Sequence, residues 1–116
     1  MRMSTVSRGI VVVLVTCPTR ASARRVGERV IAERAAACVN IVPGLVSLYR
    51  WKGRVERAPE VLLVIKTTAF GFGRLRRTIL RVHPYDTPEI IALPISASHP
   101  PYRRWVVSSV RPARRA

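Results

Sequence analysis

Ile10-Val11-Val12-Val13-Leu14-Val15-Thr16 is an unbroken, β-branched apolar run. Such a run suits a central strand, covered on both faces or across a subunit contact. Cys17-Pro18-Thr19 turns out of it. Beyond the turn the pattern changes period: Ala23, Val26, Gly27, Val30 and Ile31 recur at helical spacing, while Arg24, Arg25, Glu28, Arg29 and Glu33 fall on the other side. This predicts an amphipathic helix over residues 20–35. A second strand opens at Cys38-Val39-Asn40-Ile41-Val42, is interrupted by Pro43-Gly44 and resumes from Leu45 to Trp51. Lys52-Gly53 is a tight hairpin turn. The chain returns through Arg54-Val55-Glu56 and, after Ala58-Pro59-Glu60, runs from Val61 to Thr67. Phe72, Leu75, Ile79 and Val82 mark a second helix with Arg74, Arg77 and Arg81 along its outer face. A fourth strand covers Ile90 to Ile95, and the Pro100-Pro101 entrance predicts a short closing helix to Val110.

The order β-α-β-β-α-β plus a terminal helix is an α+β, ferredoxin-like split βαβ arrangement, with helices on one face of an antiparallel sheet. A chain of 116 residues has room for one such domain. We place it at residues 9–110, with flexible ends at 1–8 and 111–116. In this topology the first and second strands are parallel, so Cys17 and Cys38 lie at opposite ends of the sheet. The helix between them spans ~24 Å, beyond the ~7 Å reach of a disulfide. His83, Glu60, Glu89 and the tip carrying Tyr49 and Trp51 fall at the Cys17 end; Lys66 falls at the Cys38 end.

Composition narrows the function classes. The charge is +15, from 21 basic and 6 acidic residues, which invites a polyanion partner. The arginines are nevertheless spread over both helices, the hairpin tip and the tail. Interleaving with aromatics is confined to short stretches such as Arg103-Arg104-Trp105, so a nucleic-acid partner is not expected. Two cysteines do not make a disulfide scaffold, and the expectation is a reducing, cytoplasmic setting. The apolar run after Arg2 and Arg8 imitates an export signal poorly, and no run approaches a bilayer span, so no membrane partner is expected. Gly71-Phe72-Gly73 reads as a helix entrance, not a phosphate loop. With no serine or cysteine in a nucleophile motif, the chain is not expected to be an enzyme.

The richest chemistry lies in His83-Pro84-Tyr85-Asp86-Thr87-Pro88-Glu89. Its prolines stop the second helix near Val82 and brace an imidazole, a phenol and two carboxylates at a helix-to-strand corner. Taken alone it reads equally as a stiff connector. Set beside Val-Thr-Cys-Pro at 15–18, Ala-Ala-Cys-Val-Asn-Ile-Val-Pro-Gly at 36–44, Tyr49 to Gly53, and Glu60-Val61-Leu62-Leu63 with Ile65-Lys66-Thr67, it resembles the CutA divalent-cation tolerance family over residues 10–107.

That resemblance implies a homotrimer of ferredoxin-like subunits, similar to the PII signalling proteins, that binds a divalent metal, copper foremost, in or near clefts between subunits. Thiol and imidazole are apt copper ligands, and the metal candidates are Cys38, His83 and Cys17. Cys38 matches the family pattern most firmly, and Cys17 stands where some members carry cysteine. A further cysteine of some members falls near Thr78 here, which removes the third thiolate. Cys38 reads equally as a small buried residue, Cys17 as inert packing or as a thiol of lowered pKa before a helix, and His83 as a helix C-cap. Glu60, Asp86 and Glu89 offer hard oxygen ligands instead. The rival reading is a PII-like sensor of a small anion, with Trp51, Glu60, Lys66, Tyr85 and Glu89 lining the ligand cleft.

Overall fold

The computed structural model describes residues 9–112. Its elements are β1 (Ile10–Cys17), α1 (Arg20–Ala32), β2 (Cys38–Trp51), β3 (Arg54–Thr68), α2 (Phe72–Val82), β4 (Ile90–Pro94) and α3 (Pro100–Ser109). The strands form one antiparallel sheet in the order β2-β3-β1-β4. This is the split βαβ arrangement that the two hydrophobic periods predict. Of the flexible ends expected at 1–8 and 111–116, residues 1–8 and 113–116 lie outside the described residues. Arg111, just past α3, donates its backbone N–H to Arg34 O at 2.8 Å.

Strand alternation sorts β1 into two faces. Val11, Val13, Val15 and Cys17 pack with Val61, Leu63 and Ile65 of β3 against Ala23, Val26 and Val30 of α1 and Leu75 and Ile79 of α2. The opposite face carries Val12, Leu14, Leu62, Val64, Ile91 and Leu93. Register sets Leu14 between Val64 and Ile91 there. This second face is apolar yet only half covered, with Ile91 and Leu93 48% and 47% exposed. Of the two environments foreseen for the first strand, cover on both faces is therefore absent within one copy.

Two strands are longer than their prolines suggest. β2 continues through Pro43-Gly44 as a bulge between Val42 and Leu45, with Gly44 at φ +88°; as an edge strand it tolerates the missing N–H. β3 passes through Pro59 without a break. Its pairing with β1 stops at Cys17↔Val61, whereas its pairing with β2 runs on to Trp51↔Arg54. Residues 45–51 and 54–60 therefore project as a two-stranded arm, in which Pro59 has a neighbouring strand on one side only. Lys52 and Gly53 close the arm with φ of 53° and 76°, the two left-handed residues of a type I′ turn.

α1 opens with a capping box, in which Ser22 N–H bonds Thr19 Oγ1 at 3.0 Å and Thr19 N–H bonds Ser22 Oγ at 3.2 Å. It ends at Ala32, three residues before the periodicity runs out. Ala35 N–H reaches back to Val30 O at 2.9 Å and Arg34 N–H to Ile31 O at 3.0 Å, a Schellman closure with Arg34 in the left-handed position. Glycine is usual there, and Arg34 at φ 56° carries a strain of ~1 kcal/mol. Its side chain offsets that by donating to Ser108 O at 3.0 Å and Ser109 O at 3.2 Å, which caps the end of α3. Arg34→Ala keeps the strain and loses the clamp. It is expected to lower stability by about 1–2 kcal/mol and to speed amide exchange in α3 before the rest of the chain, as hydrogen-exchange mass spectrometry would show.

Candidate functional site: a carboxylate-lined cleft backed by a cysteine–histidine pair

Where the arm leaves the sheet, it and the corner after α2 enclose a cleft of about 640 Å³. Thr16, Glu60, Tyr85, Asp86 and Glu89 supply polar side chains to its lining, and Ser47, Tyr49 and Trp51 come from one face of β2 at two-residue spacing. Four of the five residues expected in a ligand cleft, Trp51, Glu60, Tyr85 and Glu89, are thus together. Lys66 does not join them within one copy. It pairs in register with Cys38 at the far end of the sheet, where its ammonium bonds Asn40 Oδ1.

One wall is tightly organised. Tyr85 OH donates to Glu60 Oε2 at 2.5 Å. Burial first, and then Glu60, push the Tyr85 phenol well above its ordinary range, so at neutral pH it is a donor and not a phenolate. Glu60 is 7% exposed and keeps a short, charge-assisted bond in a nearly dry position.

Behind this wall lies His83, at the C-cap of α2. Its Nδ1 accepts the Tyr85 backbone N–H at 3.0 Å, so the ring proton sits on Nε2 and is given to Thr16 O at 2.8 Å. Both nitrogens are therefore committed to backbone groups. Cys17 Sγ stands 3.6 Å from Nε2 and is fully buried. Burial, and secondarily the Glu60 charge, push its thiol up to about 11, so the lowered pKa entertained for a thiol ahead of a helix does not occur. The pair contains neither a thiolate nor a free imidazole nitrogen. Cys38 is elsewhere, half-buried and 4.0 Å from Asn40 Oδ1. Among the described residues no three histidine, cysteine, aspartate or glutamate side chains gather closely enough to hold a metal ion.

The thiol shift has a pH consequence. Well below pH 9 Cys17 is protonated in folded and unfolded chains alike. Between about 9 and 11 the unfolded chain ionises first, so stability falls as pH rises through that window, by up to about 2–3 kcal/mol. Urea midpoints at pH 8 and pH 11 are expected to differ less in Cys17→Ala than in the wild type.

Residues 11–109 match the family model described as CutA1 divalent ion tolerance protein. The chain belongs to the CutA1 divalent ion tolerance family. The divalent-cation tolerance protein CutA of Thermus thermophilus is 47% identical over 95 residues, covering 82% of this chain and 92% of that protein. Mouse Protein CutA is 44% identical over 92 residues, and there the matched region is 52% of the relative's length. Among solved structures, CutA1 from Oryza sativa superposes with a TM-score of 0.88 at 40% identity, covering 93% of this chain and 99% of that one. The Thermus thermophilus structure gives 0.86 at 44%, covering 88% and 99%. The CutA1 family is one of cation-tolerance proteins, which supports a role for this chain in cation tolerance. Sequence reasoning missed Thr16 and Ser47 as lining residues. The usable signal for each was strand period: Thr16 continues the Val12, Leu14 face, and Ser47 precedes Tyr49 and Trp51 at alternate positions.

Proposed function

We propose that the chain acts in cation tolerance as a PII-like homotrimer that holds a divalent cation, copper included, on oxygen atoms of the cleft. The observation that carries this reading is that Glu60, Asp86 and Glu89 line one cleft together with Thr16, Ser47 and Tyr49. On a chain of charge +15 the three carboxylates that line this cleft are half of all the acidic residues, and carboxylate and hydroxyl oxygens suit hard divalent ions. Water and a neighbouring copy supply the remaining positions, since one copy gathers no three-residue ligand set among the described residues. The apolar sheet face and the arm, with Val46, Leu48 and Val55 56%, 67% and 66% exposed, are the surfaces that neighbouring copies would cover. Two free cysteines agree with a reducing, cytoplasmic setting as part of the same proposal. The cation is bound cargo, and no catalytic step is assigned.

The second reading places copper on Cys17 and His83, favoured by their 3.6 Å approach. It requires the thiol to lose a proton held to about pH 11 and the imidazole to give up a backbone bond. An anion sensor is less well served, because the cleft wall of one copy is acidic and Lys66 is at the other end. Isothermal titration with copper(II) and manganese(II) separates the first two. Glu89→Gln and Asp86→Asn are expected to weaken both ions about tenfold (~1.4 kcal/mol), with Cys17→Ala nearly unchanged. Loss of copper binding in Cys17→Ala alone would favour the thiol–imidazole pair.

A further inference from the structure

The arginines of the helix layer are concentrated at one place. On α2, Arg74, Arg77 and Arg81 follow a single stripe. α1 brings Arg29 to them through Glu33, which pairs with Arg29 at 3.7 Å and Arg81 at 2.7 Å and accepts from Thr78 at 3.0 Å. The segment after α3 adds Arg111, whose carbonyl accepts from Arg74 Nη2 at 2.5 Å. Arg29 and Arg81 share the Glu33 carboxylate, and none of the five arginines pairs with any other acidic side chain among the described residues. Arg81, the nearest of them, holds the Glu33 carboxyl below the usual range.

Arg74 is the least satisfied member. Its Nε is shut off from solvent and has no acceptor among the described residues, a costly state for a guanidinium N–H. Burial, then the charges of Arg111 and Arg77, press its pKa down. Its donor fork, used at one nitrogen only, matches two oxygens of a tetrahedral anion once the side chain turns from the Arg111 carbonyl. The guanidinium of Arg77, one turn away, makes no hydrogen bond or ion pair among the described residues.

We propose that this cluster binds a small, multiply charged oxyanion of the phosphate class, a di- or triphosphate group, held by Arg74, Arg77 and Arg81 with Arg29 and Arg111 at the rim. The site is separate from the cation cleft and is built from the helix layer. A compact anion suits it better than a nucleic-acid strand. The guanidinium groups gather on the α2 stripe, with Arg77 and Arg111 close enough to Arg74 to act on its charge, and Phe72, the aromatic ring of α2, is packed against the core, unavailable for base stacking.

Isothermal titration of the metal-free protein with sodium tripolyphosphate at fixed ionic strength tests the site. One tripolyphosphate per protomer is expected. Arg77→Gln and Arg74→Gln should each weaken it about tenfold, while Arg24→Gln, which removes the same charge elsewhere on α1, should change it less than about twofold. Arg77→Gln disturbs no bond among the described residues, so its result stands even if Arg74→Gln folds poorly. An equal loss in Arg24→Gln would reduce the effect to overall charge, and the absence of saturable binding would remove the site. Displacement of tripolyphosphate by a single-stranded oligonucleotide at lower phosphate concentration would overturn the small-anion assignment in favour of a nucleic-acid partner.

Discussion

Leu14→Glu is expected to convert a particle of about 39 kDa, three chains of 13.0 kDa, into a 13 kDa monomer in light scattering after gel filtration. Leu14 lies mid-strand on the uncovered sheet face, in register with Val64 on one side and Ile91 on the other. A carboxylate there is harmless while the face is wet. Buried without a partner it costs several kcal/mol, and three copies repeat the cost. The arm gives an independent reason to expect association, because a two-stranded ribbon is marginal alone and this one exposes Val46, Leu48 and Val55. Leu93→Lys on β4 serves as a second variant should Leu14→Glu fold poorly, and Val107→Glu on α3 is the control expected to keep the larger mass. A wild-type mass of 13 kDa, or an unchanged mass in both Leu14→Glu and Leu93→Lys, would remove the trimer and with it the completion of the cation site by a neighbour.

His83→Ala is expected to destabilise the chain by about 2–4 kcal/mol whether or not metal is present. The imidazole is 8% exposed. Its loss strands Thr16 O and Tyr85 N–H, each now satisfied by a ring nitrogen at 2.8 and 3.0 Å, and leaves a gap beside the Cys17 thiol. Tyr85 then loses its brace, and the Glu60 contact at 2.5 Å loosens with it. Urea denaturation in the presence and absence of chelator distinguishes a strut from a ligand. An equal loss in both conditions is expected, whereas a loss confined to the metal-loaded protein would make His83 a ligand.

Most of the fold is legible in the sequence because its two periods are clean. Val11, Val13 and Val15 against Val12 and Leu14 already separate the faces of β1, and Ala23, Val26 and Val30 give the buried stripe of α1. What misleads is punctuation that context overrides. Pro59 looks like a break, yet it occupies a part of β3 with no neighbour on one side. The end of α1 is hidden because the left-handed position holds Arg34, whose side chain is engaged 74 and 75 residues downstream. The corner from His83 to Glu89 is recognisable as chemistry, and the cleft it forms with Trp51 and Glu60 follows from topology. The commitment of both His83 nitrogens is not readable from sequence, since it depends on a carbonyl at Thr16 and an amide at Tyr85 meeting one ring. Nor does spacing reveal that Arg29 and Arg111 come to the Arg74 stripe, because three separate elements supply them.

X-ray absorption at the copper edge, on the protein loaded with one equivalent of copper(II) per protomer, addresses the cation assignment most directly. Oxygen neighbours without sulfur are expected, and they should change in Glu89→Gln but not in Cys17→Ala. A sulfur neighbour in the wild-type spectrum, lost in Cys17→Ala, would place the ion behind the cleft wall instead of on its carboxylates and would contradict the oxygen site.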